Sequence, residues 1–428
     1  MLLRFRVANY ASIRDEAELS AVAVADHEDI AVRRVADADV RALPAVAIYG
    51  PNASGKSNVL AALEFMRGAV LDSHQDWRPG GIIDRRPFKL DAASRQRPTT
   101  LVVNFTCDDV HYEYGFSVDD RTVTEEWLYS FPKKRTRVLF ERGPDMDIKF
   151  GPTLTGLRQN IAKLTRPNSL YLSAAAANNH EQLTPIYEWF AYEIFPLRAG
   201  VRPIDSYTIR EWKDHDQPGQ AALRDLLRYA DTGVVDLEIE DRELTDSMAE
   251  KVRQIFRVID LDIPDGTPTP SPPPSVSFVH RAESGLARLA IEEESSGTLA
   301  WLLLIGPVQS VIRHGGLLLV DELDAYLHPL LTAHLVSLFQ DPVTNTNGAQ
   351  ILFNTHDVSL LGPSVPGRLR RDQVWFTEKD DTGVTKLTPL SEYRVRDGLE
   401  NVEKRYLSGR YGAIPFLDDL VLESLRSA

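Results

Sequence analysis

The chain has 428 residues, 43% of them hydrophobic and 26% charged, enough for a large core in two or three lobes and ordinary for a globular protein. Its formal net charge of −14 argues against a surface coated for non-specific DNA binding but leaves room for a local basic groove. The single cysteine, Cys107, excludes an internal disulfide and a cysteine-based zinc site; no apolar run spans a membrane, no secretory pattern opens the chain, and a cytoplasmic location is expected.

Residues 2–7 alternate like a strand, and 16–23 are placed as its antiparallel partner across a turn at 9–15. Ala45-Val46-Ala47-Ile48-Tyr49 is short, apolar and β-prone, and Val59-Leu60-Ala61-Ala62-Leu63-Glu64-Phe65-Met66 has the spacing of an amphipathic helix ending near Gly68. Between them, Gly50-Pro51-Asn52-Ala53-Ser54-Gly55-Lys56-Ser57 fits G-x-x-x-x-G-K-S/T at every fixed position. Strand, loop and helix in that order are the setting of a phosphate-binding loop. In such a loop, backbone N–H groups and the helix dipole surround a β-phosphate. Lys56 then neutralises β- and γ-oxygens, and the Ser57 hydroxyl holds Mg2+.

After a loop with Pro79-Gly80-Gly81 and Arg85-Arg86-Pro87, four β segments (100–105, 111–118, 123–129 and 137–141) predict an antiparallel meander. From 157 to 259 the spacing turns helical, as in Ile186-Tyr187-Trp189-Phe190 and Leu223-Leu226-Leu227, and predicts a lid inserted in the nucleotide-binding lobe, its aromatics in the core. The proline-rich stretch 264–274 is its connector back. Regular α/β alternation follows: strands at 287–292, 317–320 and 350–353, helices at 297–312 and 330–339, and a hairpin of 374–377 with 384–387. The basic clusters Lys133-Lys134-Arg135-Thr136-Arg137 and Arg368-Leu369-Arg370-Arg371 lack interleaved aromatics and read as solvated loops. The expected domains are 1–150, the first half of an ATPase head; 151–275, the helical insertion; and 276–428, the second half.

Leu317-Leu318-Leu319-Val320-Asp321-Glu322 is an apolar strand ending in two carboxylates. In a phosphate-loop protein the first holds Mg2+ through water and the second polarises the attacking water. Ser295-Ser296-Gly297-Thr298 opens a helix and offers free N–H groups and hydroxyls, the seat of a γ-phosphate or an ordinary N-cap. Ile351-Leu352-Phe353-Asn354-Thr355-His356-Asp357 is a second buried strand, whose His356 would emerge on the same sheet edge as the acid pair.

Together these motifs resemble those of ABC-type ATPases, in the branch with Rad50, SMC and RecF proteins. More closely the chain resembles the AAA15-family ATPases that include RloA and relatives of the OLD-type ATPases. The narrower match rests on Arg86-Pro87-Phe88-Lys89-Leu90-Asp91, Tyr112-Glu113-Tyr114-Gly115-Phe116, Glu126-Trp127-Leu128-Tyr129, Leu139-Phe140-Glu141-Arg142 and Arg405-Tyr406-Leu407-Ser408-Gly409-Arg410-Tyr411-Gly412-Ala413-Ile414-Pro415. The resemblance implies an α/β fold: a P-loop ATPase head of ABC type with an antiparallel β lobe and an inserted helical lid. It implies ATP and Mg2+ as cofactors, with Gly50, Pro51, Asn52, Ala53, Ser54, Gly55, Lys56, Ser57 and Asn58 around the nucleotide, Ser57 and Asp321 at the metal, and Glu322 as catalytic base. His356 would sense the γ-phosphate, Ser296 and Gly297 would touch ATP held by a second copy, and Asp324 would lie at the dimer interface. The glutamine-bearing loop of the wider family is not recognisable; Lys89 and Asp91 are candidates for its place. The helix start Glu294-Ser295-Ser296-Gly297-Thr298 keeps a serine and a glycine of the usual Leu-Ser-Gly-Gly-Gln and changes the rest.

The expected function is an ATP-hydrolysing switch, dimeric through ATP, acting in bacterial defence against phage with a separately encoded effector. About seventy residues follow His356, fewer than a typical nuclease domain, and they carry no spaced acidic cluster. A RecF-like DNA-binding ATPase of genome maintenance is the alternative, so nucleic acid stays open as a partner. A transporter ATPase is the least favoured class, and no membrane contact is expected.

Overall fold

Alternating burial organises the first sheet. In β1 (Leu2–Ala8) Phe5 and Val7 are buried while Arg4 and Arg6 turn outward, the period of a half-covered strand. β1 pairs antiparallel with β2 (Ala17–Ser20) and with β6 (Thr99–Cys107). The expected meander follows as β7 (Val110–Val118), β8 (Val123–Ser130) and β9 (Arg137–Arg142), with a short β10 (Ile148–Phe150) added at the edge. The order is β10-β9-β8-β7-β6-β1-β2. A two-stranded hairpin, β3 (Arg33–Val35) with β4 (Val40–Ala42), is bridged to the segment after β2 through Val22 and Ala42. The computed structural model describes residues 1–25, 29–35, 38–198, 212–213, 217–240, 274–394 and 401–415.

The second sheet is built from unbroken apolar runs. β5 (Ala45–Tyr49) and β16 (Gln350–Asn354) are buried at every position, and β15 (Leu317–Asp321) at all but its last. This is the composition of a parallel sheet covered on both faces. Its order is β11-β15-β16-β5-β17-β18, with β11 at Ile194–Arg198, β17 at Val374–Lys379 and β18 at Thr385–Pro389. All neighbours are parallel except the last pair. Helix α1 (Lys56–Asp72) buries Val59, Leu60, Leu63, Met66 and Val70 along one stripe and touches strands of both sheets. The fold is therefore the expected α/β head with an antiparallel lobe.

The chain divides into two compact units, 1–199 with 310–428, and 200–309. The division differs from a boundary near residue 150. Helices α3 (Arg158–Leu164), α4 (Tyr171–Ala177) and α5 (Thr184–Tyr192) belong with the first unit; α4 and α5 pack on α1, and Arg67 Nε donates to Phe190 O at 2.9 Å. Trp189 and Phe190 are buried, Trp189 stacking on Phe105 with centroids 4.1 Å apart. In the second unit, the helix Gln217–Tyr229 accompanies an antiparallel sheet of β12 (Val234–Glu240), β13 (Ser275–Ala282) and β14 (Gly285–Ala290). Trp301 Nε1 donates to Leu226 O at 2.8 Å.

Two strands thus interrupt the helical run expected from 157 to 259. β11 is a five-residue parallel edge strand whose apolar residues also fit a helical stripe. β12, Val-Val-Asp-Leu-Glu-Ile-Glu, carries a period-two signal that a helical assignment overlooks. β13 was not expected at all, and β14 begins two residues earlier than expected. The proline-rich connector lies, up to residue 273, outside the described residues.

A buried acid explains several residues of the β lobe. Glu126 is fully buried and accepts N–H bonds from Tyr171 (2.6 Å) and Leu172 (3.0 Å), the first turn of α4, and a hydroxyl bond from Tyr114 (3.0 Å). Arg142 stands 4.0 Å away and donates to Ser169 O (2.7 Å) and Pro167 O (3.0 Å). Burial pushes the Glu126 carboxyl up, while Arg142 and the N–H donors pull it down. Glu126→Gln sets an amide against a backbone N–H and is expected to destabilise the protein by about 1–3 kcal/mol. A shift of the urea midpoint to lower concentration checks this; an unchanged midpoint would show that the cap contributes nothing.

Candidate functional site

The phosphate-loop sequence leaves β5 and enters α1 in the strand–loop–helix order its motif requires. Gly50 has φ +155° and Gly55 has φ +107°. A Cβ on Gly50 would strike Thr377, and one on Gly55 would strike Thr385, so glycine is dictated by close approach as well as by backbone conformation. Gly55 is the N-cap of α1; no side chain caps the helix and its first turn has no acid. That leaves helix-terminal N–H groups and the positive dipole end for an anion. Lys56 is 7% exposed and its Nζ donates to Gly50 O (2.8 Å) and Pro51 O (3.1 Å). Burial lowers its pKa, opposed by the carboxylates of Glu322, Asp324 and Asp321. Asn52, Ala53 and Ser57 are exposed, and Pro51 and Asn58 are half-buried.

Three hydroxyl residues outside the motif brace the loop. Ser54 Oγ meets Thr377 Oγ1 at 2.6 Å, and Thr377 Oγ1 also donates to Tyr49 O at 3.2 Å. Thr385 Oγ1 donates to Ser54 O (2.7 Å) and lies 2.7 Å from Ser12 Oγ, which accepts from Asn58 Nδ2 at 2.6 Å. Thr377 and Thr385 belong to the β17–β18 hairpin, and Ser12 to the turn after β1. Asn58, expected at the nucleotide, is held towards that turn.

The carboxylate pair and the histidine arrive on the neighbouring strands. β15 pairs with β16 and β16 with β5, all parallel. Their C-terminal ends therefore share one sheet edge, which brings Asp321-Glu322 and His356 beside the loop. Glu322 is exposed and sits at φ +61°, a conformation costing a non-glycine residue on the order of 1–3 kcal/mol. The Asp324 carboxylate accepts the His356 N–H at 3.2 Å. His356 is exposed; desolvation by the groups around it, then the charge of Lys56, lowers the imidazole pKa, opposed by the carboxylates of Asp324 and Glu322. Asn354, absent from the expected site, is fully buried between these groups and bonds to Ser57, Asp321 and Glu322.

Ser296 and Gly297 belong to the second unit, in the first turn of the helix Ser296–His314. Ser296 is exposed and Gly297 half-buried. Ser295 Oγ accepts the Thr298 N–H at 3.1 Å, the role of an N-cap. Asp91 caps the helix α2 (Ala92–Gln96), accepting from Ala93 N, Ser94 N and Ser94 Oγ, while Lys89 is exposed. Both basic clusters hold acid partners: Lys134 pairs with Asp39 at 2.6 Å, and Arg370 with Asp29.

Among the described residues, no three or more His, Cys, Asp or Glu side chains gather as a metal-binding group. The donors expected at the metal are the Ser57 hydroxyl and the Asp321 carboxylate, which share the Asn354 amide. That set fits Mg2+, which takes few protein ligands and completes its shell with phosphate oxygens and water.

A family model described as "AAA domain, putative AbiEii toxin, Type IV TA system" matches residues 45–362. The chain belongs to this AAA domain family. The matched span starts at β5 and includes the phosphate loop, Asp321-Glu322 and His356, and membership makes the protein a P-loop ATPase. Among solved structures, the SMC head domain from Thermotoga maritima is similar at 12% identity and TM-score 0.38, covering 92% of this chain and 99% of that one. An SMC head crystallised with the C-winged helix domain of ScpA shows 12% identity and TM-score 0.38, with 90% and 96% covered. No curated protein gives a significant match. Among the described residues, no helix is long and apolar enough to cross a membrane.

The bracing hydroxyls, which lie outside the matched span, predict a measurable effect. Thr385→Val keeps side-chain shape but removes the bonds to Ser54 O and Ser12. It is expected to weaken nucleotide binding roughly tenfold, the equivalent of about 1.4 kcal/mol. Titration with a fluorescent ATP analogue measures it, and wild-type affinity would show that the hairpin does not hold the loop.

Proposed function

We propose that this protein is an ATP-hydrolysing switch of the RloA-like AAA15 type that closes as a homodimer on ATP and acts in bacterial defence with a separately encoded effector. The observation that supports it most is the shared sheet edge, where parallel β5, β15 and β16 bring the phosphate loop, the acid pair and His356 together. The family description names a toxin–antitoxin system, an arrangement of two separate components, which favours action through a partner.

The backbone from Gly50 to Ser57 cradles the β-phosphate, and Lys56 leaves its carbonyl contacts for the β- and γ-oxygens. Ser57 and Asp321 would hold Mg2+, which would supply charge neutralisation on the phosphates. Glu322 accepts a proton from water as the water oxygen bonds to the γ-phosphorus, and the bond to the ADP oxygen breaks. His356 contacts the γ-phosphate and links its loss to Asp324, whose carboxylate accepts the His356 backbone N–H. Ser296 and Gly297 meet ATP held by the second copy, and Asp324 lies at the interface. Closure follows if ATP binds the closed state more tightly than the open one.

Lys56→Ala is expected to abolish nucleotide binding or turnover. Glu322→Gln is expected to bind ATP with near-native affinity, lose turnover by at least about a hundredfold, and accumulate a dimer visible by size-exclusion chromatography with light scattering. Normal turnover by Glu322→Gln would sink the base assignment.

ATP turnover of the wild type with double-stranded DNA, single-stranded DNA and RNA then separates the settings. Turnover unchanged by all three is expected of a switch awaiting a protein or phage trigger. Strong, salt-sensitive stimulation by one of them would replace the effector model with the RecF-like alternative.

A further inference from the structure

We infer that Asn354 is a positioning residue for hydrolysis, a single amide that aligns the two metal-side groups, Ser57 and Asp321, with the peptide that carries Glu322. The inference rests on the ATPase function proposed above. Asn354 is the last residue of β16, the strand between β5 and β15, and is fully buried. Its Oδ1 accepts the Glu322 N–H at 2.6 Å. Its Nδ2 donates to Asp321 Oδ1 and reaches Ser57 Oγ at 3.4 Å.

Chemistry fixes the orientation of the amide. The Glu322 N–H can only donate, so oxygen must face it, and the amide hydrogens are left for the Asp321 carboxylate and the Ser57 hydroxyl. The Asn354 carbonyl also accepts the Leu323 N–H at 3.1 Å. Main chain and side chain of one residue therefore grip the turn in which Glu322 adopts φ +61°, a conformation that must be held from outside. The donor to Asp321 keeps one carboxylate oxygen occupied and leaves the other for a water or metal.

A residue that only stabilises β16 would affect ATP binding with and without metal equally. A positioning residue separates the two. Asn354→Ala and Asn354→Ser should bind ATP without Mg2+ within about twofold of wild type. Both should need 10–100-fold more Mg2+ to reach the metal-dependent gain in ATP affinity, the usual range for losing a group that orients a metal ligand. Turnover should stay reduced at saturating Mg2+, because Glu322 is no longer held. Asn354→Ser guards against a folding failure of the alanine variant.

Calorimetric ATP titrations across a Mg2+ series, beside steady-state turnover, provide the test. Wild-type Mg2+ dependence in either folded variant would overturn the inference, and so would parallel loss of metal-free and metal-dependent binding. A wild-type protein without turnover would overturn the ATPase function itself. Wild-type turnover with unaltered Asn354 variants would remove this inference alone.

Discussion

Parallel pairing of β5, β16 and β15 is the constraint on which the site depends. In a parallel sheet every strand end on one edge belongs to the same chain direction, so the loop after β5, the acids after β15 and the histidine after β16 must emerge together. The pairing needs strands buried on both faces, and β5 and β16 supply that with no exposed residue. One polar side chain breaks the apolar pattern at the end of the middle strand, and Asn354 satisfies its hydrogen-bonding capacity with groups from both neighbours. An amide buried there without those partners would cost more than it contributes.

The antiparallel lobe solves a different problem, anchoring α4 and α5 onto α1. Glu126 does so with a carboxyl group whose two oxygens each accept a backbone N–H of α4, and Arg142 offsets the burial while binding the carbonyls of the segment leading into α4. Such a pair adds little net stability compared with an apolar substitute, but losing one partner strands the other. The Tyr114, Glu126 and Arg142 motifs, which carry part of the family resemblance, are therefore structural.

What was legible in the sequence had short range. The phosphate loop, the acid pair and the strand before His356 are contiguous patterns whose local order carries the chemistry. Ser12, Thr377 and Thr385 are not legible: single hydroxyl residues are common in turns and strand ends, and Thr377 and Thr385 act on Ser54, and Ser12 on Asn58 and Thr385, from far along the chain. Asn354 is part of a contiguous strand pattern, but its role is not legible there, because an asparagine at a strand end usually marks a turn. β11 is hidden by an apolar run that satisfies two periods, whereas β12 carries its alternation openly within a stretch whose neighbouring spacing is helical.

The terminal motif from Arg405 to Pro415 also finds a physical place. Tyr406 packs on Tyr49 and stacks on Phe376, with centroids 5.8 and 5.4 Å away, and Tyr411 also stacks on Phe376, at 5.7 Å. Glu378 accepts the Ala413 N–H at 2.8 Å. Phe376 and Glu378 flank Thr377, the residue whose hydroxyl meets Ser54, and Tyr49 precedes Gly50 while donating to Asp357 O at 3.0 Å. Movement of the loop or of the His356 segment is thus resisted by the same aromatic cluster. The terminal stretch is packed as part of the nucleotide half because the strand it covers is the one that holds the loop.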